Sequence, residues 1–120
     1  MHRTNIQNLT DIPNIGKAIS RSLQQIGIHH PDDLVGKDPY QMYHKLCHVT
    51  GKRQDHCIID VFIAAVSYME GAAPQKWWCY TAERKEMMKK RAIRVRQPHL
   101  LLALLFPFLI LYVFSNHLFI

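Results

Sequence analysis

Nothing in these 120 residues alternates apolar and polar with period two for long enough to make a sheet. That absence predicts an all-α protein, and the length suits one small domain with a modest core. Cysteine is sparse as well. Cys47, Cys57 and Cys79 are odd in number and include no Cys-x-x-Cys pair. Neither a disulfide framework nor a common zinc fold is expected, and reduced thiols in a cytosolic setting are. No apolar stretch near Met1 reads as a signal peptide. The chain also lacks a Walker-type phosphate loop, a Ser-His-Asp arrangement and paired acids at catalytic spacing. An enzyme is therefore not expected, nor a cofactor. Acidic residues are in deficit: nine Asp and Glu against fifteen Lys and Arg give a formal charge of +6. That balance favours nucleic acid, acidic partners or an anionic membrane surface.

What is present is helical spacing, broken by turn signals. A first short helix is expected over Asn5 to Leu9, with Thr10 to Ile12 leading out of it. Pro13 breaks the pattern, Gly16 permits an unusual backbone, and a helix starts near Lys17 with Ile19, Leu23 and Ile26 on one face. Gly27 stops it. Pro31 and Pro39 each suit a first helical position, the latter behind Asp38. Tyr40, Tyr43, Leu46 and Cys47 recur at helical spacing up to Gly51. The apolar run from Cys57 to Met69, capped by Asp55, is the expected central helix. Gly71 and Pro74 close it. Asp32, Asp33, Asp38, Asp55 and Asp60 read mostly as turn or cap residues. His44, Cys47, His56 and Cys57 are metal-ligand types. Adjacent residues on a helix point about 100° apart, so small buried packing residues are the simpler reading for the two cysteines.

The segment Ile12-Pro13-Asn14-Ile15-Gly16-Lys17 carries the chemistry. Unpaired N–H groups and the positive end of the dipole coincide at a helix N-terminus, which suits a phosphate. Ile12 and Ile15 would anchor the loop. The loop from Asn14 to Ala18 would hold one phosphate, on the N–H groups of Gly16 and Ala18. Lys17 and Arg21 would add charge, and the Ser20 hydroxyl a hydrogen bond. The pattern resembles a helix-hairpin-helix motif, whose usual core is apolar-Pro-Gly-Ile-Gly and which binds DNA backbone without reading bases. Asn14 replaces the first glycine, and Asn is the side chain that best tolerates positive φ.

"IPNIGKAISRSLQQIGI", "DDLVGKDPYQMYHKLC", "TGKRQDHCIIDVFIAAVSYMEG" and "KWWCYTAERK" follow one another over residues 8 to 85. This succession resembles the bacterial pathogenicity-locus family of helix-hairpin-helix proteins, some labelled mitomycin-resistance proteins. The resemblance implies a small all-α domain of about five helices, with one hairpin motif and a second, degenerate helical pair. By analogy it implies binding to the DNA backbone. It carries no catalytic residues.

The resemblance ends near Lys85, which sets the expected plan: a domain over residues 1–85, a basic linker or helix over 86–97, and an apolar tail over 98–120. Trp77, Trp78 and Tyr80 precede the basic run, with one Trp expected in the core and the other open to stack on unpaired bases. The run Arg84 to Arg96 reads as a solvated basic helix. Leu100 to Phe114 spans about 22 Å as a helix, short of the ~30 Å hydrocarbon core, and reaches roughly 31 Å only if extended to Ile120. The tail is either a membrane anchor on residues 98–120 or a frameshift product. Two other functions are open: a helical protein-interaction module docking through the Trp pair, and a membrane-tethered adaptor.

Overall fold

The computed structural model describes residues 3–93, which contain helices and turns and no strand. Three α-helices have clear local causes. Helix α1, Lys17–Gln25, starts after Gly16. Helix α2, Pro39–Thr50, starts where the Asp38 carboxylate accepts the Tyr40 N–H at 2.9 Å and ends at Gly51, whose φ of 69° is left-handed. Helix α3, Cys57–Met69, starts where Asp55 Oδ1 accepts the Cys57 N–H at 2.9 Å, the capping role expected of it. A fourth helix, α4, covers residues 81–93. Short 3-10 turns occupy Leu9–Asp11, Pro31–Leu34 and Trp77–Tyr80.

Four α-helices thus stand among the described residues, against an expected five and a basic helix. The expected helix over Asn5 to Leu9 is absent. Its backbone is drawn the other way: the Arg3 N–H donates to Met69 O at 2.8 Å, and the Arg3 guanidinium lies 4.0 Å from the Tyr68 ring centroid. The turn forms later, at Leu9–Asp11, because the Asp11 carboxylate takes the Asn8 N–H at 3.1 Å.

Helix α3 is the centre of the unit Met1–Arg84. Every residue from Ile59 to Val66 is buried, and α2, the Pro31–Leu34 turn and the Trp77–Tyr80 turn pack on it. Leu23 and Ile26 of the α1 stripe are buried with it, and Ile19 is half-buried. Three expectations fail here. Asp60 is neither a loop nor a cap residue but a wholly buried acid in the first helical turn of α3. Arg84 is not on a solvated face: its Nε meets Asp60 Oδ1 at 2.6 Å, while Thr81 Oγ1 donates to Asp60 Oδ2 at 2.7 Å. A buried carboxylate needs such partners, and one turn of α4 supplies both. Neither tryptophan enters the core. Trp77 is half-buried and Trp78 is 57% exposed.

Residues 85–93 belong to a second unit, Lys85–Ile120, and are helical. Arg94, Arg96 and the tail over 98–120 lie outside the described residues. Among the described residues no helix is long and apolar enough to cross a membrane.

Candidate functional site

The turn before α1 is built from both ends. Ile12 and Ile15 are buried, and the Ile15 N–H donates to Ile12 O at 3.1 Å across Pro13 and Asn14. Proline at the second position and positive φ at the third are the pattern of a type II turn. The positive φ, 73°, falls on Asn14, as its residue type permits. Gly16 does not have the unusual backbone expected of it: its φ is −94°, open to any residue. A Cβ built there meets nothing within 4 Å. Neither conformation nor packing therefore requires glycine at 16. What its absent side chain provides is clear space before the helix.

That space borders the unpaired end of α1. The first helical amide bonded along the chain is that of Ser20, which donates to Gly16 O at 2.9 Å, and no side chain caps the turn before it. Gly16, Lys17 and Ala18 are exposed, and Arg21 is exposed one turn beyond Lys17. Of the other residues expected in the site, Ile15 is core and Ser20 is buried, its hydroxyl 3.4 Å from Gln24 Nε2.

The same turn recurs 22 positions on, from Asp11 to Asp33, Asn14 to Gly36 and Lys17 to Pro39. Asp33 takes the His30 N–H as Asp11 takes that of Asn8. The Lys37 N–H donates to Leu34 O at 3.1 Å, and Gly36 has φ 78°. The copies differ at the helix start. Where the first has Gly16, the second has Asp38, whose carboxylate already holds the Tyr40 N–H. Pro39 brings no N–H at all. No side chain caps the start of α1, whereas Asp38 caps the start of α2.

Asn14 does more than turn the chain. Its Nδ2 donates to Gln75 O at 2.7 Å and its Oδ1 accepts the Trp77 N–H at 3.2 Å. Its side chain is thereby committed to the segment before α4. Between the two segments lies an open cleft of about 280 Å³, lined by Pro13, Asn14, Pro74, Gln75 and Lys76. Lys76 is the sole charge in that lining, and its ammonium lies 5.9 Å from the Trp78 ring centroid.

A family model described as the pathogenicity locus, Cdd1, matches residues 2–86. The chain belongs to the Cdd1 family. It is also similar to a mitomycin resistance protein, McrB, of Streptomyces lavendulae: 35% identical over 81 residues, covering 68% of this chain and 77% of that one. No solved structure matches.

The Cdd1-family match spans the hairpins, α3 and the Trp segment, so both ends of the Asn14 clamp lie within the matched residues. Elsewhere among those residues Cys47 and Cys57 are half-buried rather than the buried packing residues expected, because each bonds near the exposed start of α3. Cys47 Sγ accepts the Gln54 N–H at 3.4 Å, and the His56 ring lies 3.2 Å from an Arg53 guanidinium nitrogen. The Asp55 carboxyl is held below its usual range by the Cys57 N–H. Asp55 in turn pushes the Cys57 thiol up, away from the thiolate a nucleophile needs. Sequence reasoning missed Gln75 and Lys76. Its one available signal was an amide side chain standing where a bare glycine is usual.

Proposed function

We propose that this protein binds the sugar-phosphate backbone of DNA, without reading bases, through the hairpin from Asn14 to Ala18. It acts as a binding module rather than an enzyme. The observation that carries this is the contrast between hairpins: one turn geometry, with Gly16 leaving the α1 amides open and Asp38 closing those of α2. The free amides of the first turn would receive one phosphate, with Lys17 and Arg21 contributing charge along the same face. The relative's name points to mitomycin resistance. DNA repair or damage tolerance is the cellular role we assign, in the cytoplasm.

The test is a salt-varied titration of the full chain on duplex DNA. With one to three phosphates neutralised, log K should fall against log salt with a slope of about −1 to −3. Gly16→Asp should abolish most of this binding while leaving the fold intact or a few tenths of a kcal/mol more stable, since an aspartate caps α1 as Asp38 caps α2. Binding insensitive to salt, or equal binding by Gly16→Asp combined with Lys17→Glu, would refute the assignment.

A further inference from the structure

Trp78 is the most exposed of the large apolar side chains among the described residues, at 57%. A lone exposed apolar residue is ordinary. This one differs in how it is held. The neighbouring Trp77 amide is fixed by Asn14, and Gln75 on the other side of Lys76 is fixed by the same side chain. The Trp77 ring braces that of Trp78 in an edge-to-face contact, with centroids 5.6 Å apart and planes at 83°. Lys76 stands over the Trp78 ring. The result is an aromatic plate with a cation over one face, tied by two hydrogen bonds to the residue two places before Gly16.

Those parts match the two components of an unpaired nucleotide. An aromatic face accepts a base of any sequence by stacking, and a neighbouring cation accepts its phosphate. Paired bases inside a duplex do not offer a free face. We infer that Trp78 and Lys76 form a stacking subsite for an unpaired base, so that the protein prefers DNA in which a single strand adjoins a duplex. The preference rests on the proposed phosphate contact at Gly16: the hairpin holds the backbone, and the tryptophan takes the first base that leaves the stack. Asn14 is the positioning residue between the two, and the uncharged cleft wall of Pro13, Pro74 and Gln75 gives the displaced nucleotide room.

The experiment compares the full chain on a blunt duplex and on a duplex of equal phosphate number with a short single-stranded overhang. Base stacking on an aromatic side chain predicts a preference of about 5- to 150-fold for the overhang. Trp78→Ala should remove that preference and leave blunt-duplex affinity within about twofold, while Trp78→Tyr should retain most of it. In a Trp77→Phe background, the fluorescence of Trp78 should be quenched by the overhang and not by the blunt duplex. Equal affinity for both DNAs overturns the stacking subsite and spares the hairpin. An equal loss on both DNAs from Trp78→Ala, or no loss on either, also overturns it, the latter leaving Trp78 to a protein partner. Binding to neither DNA overturns the subsite and the hairpin together.

Discussion

The Asp60 carboxylate meets Arg84 Nε at 2.6 Å in surroundings that leave the acid no exposure and the arginine side chain 10%. Charge this deep is held by its partners, and a single substitution leaves the other group stranded. Arg84→Met should therefore cost about 3–5 kcal/mol, read as a fall in the urea midpoint at unchanged slope. Adding Asp60→Leu should recover much of that loss, because the pair would then be replaced by apolar volume. A double variant as unstable as the sum of the single ones would show that the two residues do not act as a pair.

Asn14 combines a left-handed backbone with two side-chain bonds, so its substitutions separate the two contributions. Asn14→Gly keeps the turn and loses the bonds, at about 1–2 kcal/mol. Asn14→Ala loses the bonds and also strains the backbone, adding about 1 kcal/mol. Chemical denaturation should rank glycine above alanine at this position. The reverse order would mean that the turn does not hold the φ on which the hairpin depends.

Stability should fall with acid in a way traceable to Asp33. The N–H groups of His30 and His29 hold its carboxyl below the ordinary value of 3.8. As pH drops, the unfolded chain takes up this proton before the folded one does. The contribution is thus complete above the ordinary value and is lost as pH falls through the lowered one. Asp33→Asn should be less stable near neutral pH and should lose less on acidification than the wild type, in denaturation midpoints measured from about pH 2 to pH 6. Parallel acid limbs for the two proteins would contradict this.

Much of the helical frame was readable because its causes are local. A carboxylate two residues before an amide caps a helix whatever else surrounds it, which is why Asp38 and Asp55 announced α2 and α3. Asn14 was readable as the left-handed residue for the same reason. The first hairpin's leading turn was misplaced because Arg3, pulling on Met69 and Tyr68, overrides any preference of Asn5 to Leu9 for helix.

The sequence by itself determined where α1, α2 and α3 start and which of their apolar faces turn inward, since each follows from neighbours a few positions apart. The tertiary structure decided which polar side chains are spent on the fold. Asp60 takes Arg84 and Thr81, and Asn14 takes the backbone around Lys76, across separations no periodicity reveals. A buried charge or a side-chain amide bonds whatever the packing of the core brings within 3 Å. That partner is known only once the chain has closed on itself.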